Sequence, residues 1–168
     1  MTLVVWPDGR AVWRGRTLRC ALGRAGIVAA ADKREGDGAT PAGQWKLRRA
    51  LYRGDRMDPP TTILPLTRIA PQDGWCDDPS HAAYNRQVTL PFGHSHETLW
   101  RADGLYDLIV VLGHNDDPPA PGLGSAIFLH VAAPDYTPTE GCVALALGDL
   151  LEVVTGCTAE SAIDIRQA

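Results

Sequence analysis

The chain has no cysteine pair at metal-ligand spacing, no apolar run of transmembrane length and no surplus of positive charge. Each absence removes a class of function. Cys20, Cys76, Cys142 and Cys157 are widely separated, without a CxxC or a Cys/His cluster, so a metal site is not expected. Four cysteines in 168 residues make no disulfide scaffold, although a Cys76 disulfide stays open at this level. A net charge of −4 gives no support to a nucleic-acid or anionic-membrane partner. The start, Met1-Thr2-Leu3-Val4-Val5-Trp6, enters strand-like sequence at once, and no signal peptide is visible. No repeat, linker or low-complexity tract breaks the pattern, and the length fits one domain over residues 1–168.

What is there points to β structure. Seventeen glycines and 13 prolines, spread along the chain, suit many short strands and tight turns. Residues 3–6 and 11–14 flank Pro7-Asp8-Gly9-Arg10 and predict a hairpin. Residues 16–22 and 26–30 continue the β signal, 44–51 alternate as a half-buried strand, and 106–112 form an apolar, branched central strand. Residues 73–85 read as a long polar loop, and 95–100 as a short capped helical turn or an irregular connection. Residues 148–155 carry the best helical pattern, with Asp149 near the start and Gly156 as the stop, and 161–165 read as a closing strand.

Two stretches carry the chemistry. Ile127-Phe128-Leu129-His130-Val131 reads as a buried strand holding one histidine. Twelve residues after His130, Cys142 follows Gly141 in Thr139-Glu140-Gly141-Cys142, where a polar loop turns back into an apolar run. A thiolate is the most nucleophilic protein side chain, and a nearby imidazole supplies a base. Glycine before the cysteine permits a sharp turn whose N–H groups can face a developing oxyanion. The expectation is a Cys–His acyl-transfer site. A thiol pKa lowered at Cys142 alone among the four cysteines would favour an enzyme over a binding module.

Other polar residues are weaker candidates. His114 and Asn115, after the central strand, are candidate substrate contacts. So are Arg86 and Arg101, the best of a set that includes Asn85 and Glu97, because guanidinium groups pair with carboxylates. His81, His94 and His96 lack metal-ligand spacing and read as surface histidines.

Gly36-Asp37-Gly38-Ala39-Thr40-Pro41-Ala42-Gly43, the strand ending at His130, and Thr139-Glu140-Gly141-Cys142 together resemble the L,D-transpeptidase (YkuD-type) catalytic domain. The resemblance implies a mainly β fold, a β-sandwich with one or two short helices. It implies Cys142 as nucleophile, His130 as base, and the Gly141 and Cys142 amides as oxyanion hole, with Thr139 shaping the loop and Glu140 beside it at the substrate. The implied substrate is peptidoglycan stem peptide, as donor and acceptor, in the periplasm or cell envelope, handled by a monomer without a cofactor. The chain departs from the family pattern at Glu140, where a histidine is usual, and at Ala144, where a polar residue is usual. The stretch from Tyr84 to Asp107 resembles a divergent branch, part of which is associated with 1,3 rather than 3,3 crosslinks. An L,D-carboxypeptidase, another cysteine amidase and a non-catalytic peptidoglycan-binding module are the alternatives.

Overall fold

The computed structural model describes residues 1–168. Thr2–Val5 (β1) and Arg10–Trp13 (β2) form the hairpin, closed by the Gly9 N–H donating to the Trp6 carbonyl at 3.1 Å. Gly9 takes φ +80°, the conformation such a turn needs. Arg16–Ala21 (β3) pairs back on β2. Ile27–Val28 (β4) and Thr40–Pro41 (β5) make a small parallel pair on either side of a 3-10 turn at Ala30–Asp32.

The next strand, Gly43–Tyr52 (β6), spans ten residues and holds the fold together. Its first half pairs with Ala162–Ile165 (β14), and its second half pairs with Leu108–Leu112 (β11). Leu66–Arg68 (β7) lies along its far end. From β11 the sheet continues through Phe128–Val131 (β12), Val143–Leu145 (β13), β3, β2, β1 and β14 back to β6. The ends of the sheet therefore meet, and the walls expected of a sandwich are joined into one barrel-like closed sheet. The predicted closing strand is β14, and it lies inside this sheet, parallel to β1.

Alternation along these strands sends Leu3, Val5, Trp13, Val110, Leu129 and Ile163 into a common core. The single α-helix, Leu147–Thr155 (α1), contributes Leu150, Val153 and Val154, an i, i+3, i+4 stripe with no exposed surface. It ends at Gly156, whose N–H donates to the Glu152 carbonyl at 3.0 Å. The chain is mainly β with one helix.

A second cluster lies outside the closed sheet, where Leu51, Ile109, Phe128 and Cys142 meet Trp75 and Leu99. Covering it is a three-stranded sheet made of His96–Thr98 (β10), Asp73–Cys76 (β8) and Gln87–Thr89 (β9), in that order. Two expectations are corrected here. Residues 73–76 are strand rather than loop, and residues 96–98 are strand rather than a helical turn. Each is only three or four residues long, too short for a period to show in the sequence. Pairing of Glu97 with Trp75, and the edge-on contact of Trp75 with Phe128 at 5.0 Å, decide the conformation. All four cysteines are free and buried, so Cys76 makes no disulfide.

Candidate active site

Strand β12 sets the site by alternation. Leu129 points into the barrel core, while Phe128 and His130 face outward, under the three-stranded sheet. Strand β13 runs parallel beside it with His130 opposite Ala144, so the loop entering β13 delivers Cys142 to the same face. The Cys142 thiol donates to the Ala126 carbonyl at 3.2 Å and accepts from the Phe128 N–H at 3.3 Å. His130 Nδ1 lies 2.9 Å from the Val131 carbonyl. A carbonyl only accepts, so Nδ1 carries the proton and Nε2 is left as the basic nitrogen. The Tyr106 ring meets His130 edge-on at 5.3 Å, and its hydroxyl donates to Glu97 at 3.0 Å.

Two chain segments, residues 22–24 and 36–43, clamp the cysteine loop. Thr139 takes a hydrogen bond at its carbonyl from Arg24 N–H and gives one from its N–H to the Leu22 carbonyl, both at 2.8 Å. Gly23 in turn donates to the Thr40 hydroxyl at 2.8 Å. Gly141 sits at φ +142°, and a Cβ there would lie 2.8 Å from the Ala39 carbonyl oxygen. The Gly36–Gly43 loop is thus the bed on which the Gly-Cys turn rests. Asp37 holds that loop by accepting from the Arg34 and Ala39 amides and from the Lys33 ammonium.

The turn presents one amide to the cavity rather than two. The Gly141 N–H donates to the Thr139 hydroxyl at 3.1 Å, and that hydroxyl donates to the Cys142 carbonyl at 2.7 Å. The Cys142 N–H has no hydrogen-bond partner. It is the amide available to an oxyanion.

Burial governs the electrostatics. It pushes the Cys142 thiol up to about 12, with the nearby Glu97 carboxylate adding to the rise. Burial also lowers His130 to about 4, partly offset by its bond to the Val131 carbonyl. The resting pair is therefore a neutral thiol beside a neutral imidazole. The expected marker, a thiol pKa lowered at Cys142 alone, is not found, because burial raises all four cysteines.

Cys142 and His130 line a cavity of about 530 Å³. Its charged lining includes Lys33, Glu35, Asp77, Glu97, Arg101 and Glu140. A cysteine with a free backbone amide and a histidine with a free basic nitrogen, on one cavity, can form and resolve an acyl-thioester.

The L,D-transpeptidase catalytic domain family, YkuD, matches residues 1–165. The chain belongs to the YkuD family. Among solved structures it is similar to the helical cell shape determining protein Pgp2 from Campylobacter jejuni, at 16% identity and a TM-score of 0.40. The alignment covers 99% of this chain and 47% of that one, so the chain spans about half the length of that protein. No curated protein matches.

In this YkuD domain Thr139, Glu140 and Arg101 line the Cys142 cavity with Gly141. Glu140 pairs with Arg24 at the rim, at 3.0 Å, and Arg101 pairs with Asp103. Three other expected substrate contacts lie elsewhere. His114 is buried, edge-on to Trp45 at 4.8 Å. Asn115 staples its own loop, donating to the Ala120 and Gly124 carbonyls at 3.0 and 2.9 Å. Arg86 is exposed on a separate cavity. Asn85 also turns inward. Its Oδ1 accepts from the Trp75 indole and the Ala126 N–H, and its Nδ2 donates to the His114 and Asn115 carbonyls. His81 meets Phe92 edge-on at 5.0 Å, the Phe92 and His94 rings lie tilted at 5.5 Å, and His94 pairs with Asp78 at 3.0 Å.

The sequence reading missed Glu35, Asp77, Ser125 and Tyr106. Glu35 precedes the glycine loop and is reached by the Ser125 hydroxyl. Tyr106 stands just before β11, where its ring braces His130. Nothing in the spacing of these four residues relates them to Cys142.

Proposed function

We propose that residues 1–168 form a single peptidoglycan L,D-transpeptidase domain that carries an acyl group on Cys142. The observation that carries this reading is the shared cavity. Gly141, Cys142 and His130 all line it, which supports a thiol, a backbone amide and an imidazole base acting on one substrate carbonyl. Family membership supports peptidoglycan as the substrate class and the cell envelope as the place of action; stem peptides with meso-diaminopimelate are the substrate this reading assigns.

The first half-reaction starts from the neutral pair. Substrate binding draws the Cys142 proton from the Ala126 carbonyl toward His130 Nε2 as the sulfur attacks the stem-peptide carbonyl carbon. The oxyanion forms against the Cys142 N–H. His130 then passes that proton to the leaving amine, the C–N bond breaks, and a thioester remains. In the second half an acceptor amine attacks the thioester and gives its proton to Nε2. The C–S bond breaks, and the proton returns to sulfur. Tyr106 and the Val131 carbonyl hold the imidazole through both halves. No metal or organic cofactor enters these steps.

The carboxylates of Glu35, Asp77 and Glu97 on the cavity wall favour the approach of an acceptor as its ammonium, which loses one proton to solvent before the neutral amine attacks; this supports aminolysis over hydrolysis. Glu140 and Ala144, where the family pattern differs, bear on which amine is accepted and hence on 3,3 or 1,3 linkage.

The test is mass spectrometry of diaminopimelate-containing muropeptides incubated with wild type or with Cys142→Ala. Crosslinked dimers from the wild type alone support the transpeptidase, and fragmentation assigns the linkage. Trimmed monomers without dimers replace it with an L,D-carboxypeptidase.

A further inference from the structure

A second cavity of about 440 Å³ opens at the opposite edge of the three-stranded sheet, beside β9. Its lining is basic. Arg48, Arg49 and Arg86 contribute three guanidinium groups, and Asp116 is the single carboxylate. Arg48 consumes that carboxylate in a two-point pair at 2.9 and 3.3 Å. Arg49 is half-buried, and its only hydrogen-bond partner is a neutral one, Gln87 Oε1 at 2.9 Å, with the Trp75 ring on its flank. The Asp73 carboxylate, which also takes the Ala70 N–H at 2.7 Å, favours the Arg49 charge through space without bonding to it. The Arg86 guanidinium makes no hydrogen bond or ion pair. Arg86, which is exposed, therefore has no charged partner, and the partly desolvated Arg49 has a carboxylate only through space, in Asp73. An anion bound here would offset the desolvation that remains at Arg49.

The rest of the lining says what kind of anion fits. Trp75, Val111 and Ile127 add apolar lining, each with only a little surface exposed, and a guanidinium fork matches a planar carboxylate. Ile127 lines both cavities, and Phe128 gives its N–H to the Cys142 thiol. A ligand seated here lies against the same strand segment that holds the nucleophile.

We propose that the Arg49–Arg86 cavity is a binding subsite for a peptide carboxylate carrying a small apolar side chain. A peptide as ligand rests on the transpeptidase reading of the neighbouring cavity, while the site's charge and shape do not.

The test uses Cys142→Ala protein, which cannot turn over, and follows the Trp75 indole and the Arg Nε–H signals by ¹H–¹⁵N NMR. N-acetyl-alanyl-alanine, its C-terminal amide and inorganic phosphate are titrated separately. The acid is expected to shift Trp75 and Arg49 and to bind about tenfold more tightly than the amide. Arg86→Gln, an exposed position where folding is not at issue, should weaken the acid by about tenfold. Equal binding of acid and amide, no effect of Arg86→Gln, or shifts confined to the Cys142 cavity would overturn the proposal. Phosphate binding as tightly as the acid would overturn the choice of carboxylate. Because turnover is not measured, failure here leaves the transpeptidase reading standing, and success here survives its failure.

Discussion

The Cys142 thiol donates to the Ala126 carbonyl at 3.2 Å, so in the free protein its proton is committed to the backbone and not to His130. With the thiol held up at about 12, the thiolate is scarce near neutrality. Alkylation of Cys142 by iodoacetamide at pH 7.5 should be about a thousandfold slower than for an unperturbed cysteine, and should climb about tenfold per pH unit toward pH 10. Peptide mapping with timed quenching measures this. Fast modification at neutral pH would show that an ion pair already exists at rest.

Gly141 is fixed by the Ala39 carbonyl. Gly141→Ala puts a Cβ 2.8 Å from that oxygen at φ +142°, so the cysteine turn must shift. Displacing the Cys142 amide should cost about 3 kcal/mol in the transition state, roughly a hundredfold in kcat/KM. The companion unfolding curve should show a loss of about 1–3 kcal/mol. Unchanged kcat/KM would mean that the turn does not position the oxyanion donor.

Asn85 satisfies four backbone and side-chain groups at once. Asn85→Ala strands the Trp75 indole N–H and the Ala126 N–H and leaves the His114 and Asn115 carbonyls without their donor. The expected loss is about 2–4 kcal/mol by denaturant titration, with Trp75 emission shifted. A change under about 0.5 kcal/mol would mean water replaces the amide freely.

This residue also shows where the sequence was silent. Alternation and turn chemistry made β1, β2, β6, β11 and β12 legible, and Gly156 correctly ended α1. His130 and Cys142 were legible because each sits in a contrasting setting, a histidine in an apolar strand and a cysteine after glycine. Asn85, Asn115 and Arg86 share one appearance in the sequence, polar residues in loops. Only packing separates a buried linchpin, a loop staple and an exposed cation. The closure of the sheet through β6 was equally hidden, because it depends on two partners that pair with different halves of one strand.

Two buried histidines govern acid stability. Burial lowers both His114 and His130 to about 4, below the ordinary value of 6.5, so the unfolded chain binds more protons between those limits. Their contribution is fully present above about pH 6.5 and is lost as pH falls through about 4. It is on the order of 3 kcal/mol for each. Glu35 and Glu97, raised by burial, act in the opposite sense and soften the loss at the acid end. Chemical denaturation at pH 7.5, 5.5 and 4.5 should show stability falling steadily, and His130→Gln should flatten part of that slope. A flat profile in the wild type would contradict the neutral-imidazole resting state.

The central claim is that Cys142 carries the acyl group with His130 as its base. Intact-protein mass spectrometry during turnover of a tetrapeptide muropeptide tests it most directly. The account predicts a mass increase equal to the acyl fragment, mapped to the Cys142 peptide and released by an acceptor amine. His130→Ala should slow formation of the adduct at least a hundredfold. Product formation by Cys142→Ala, or an adduct on Cys20, Cys76 or Cys157 instead, would contradict the account.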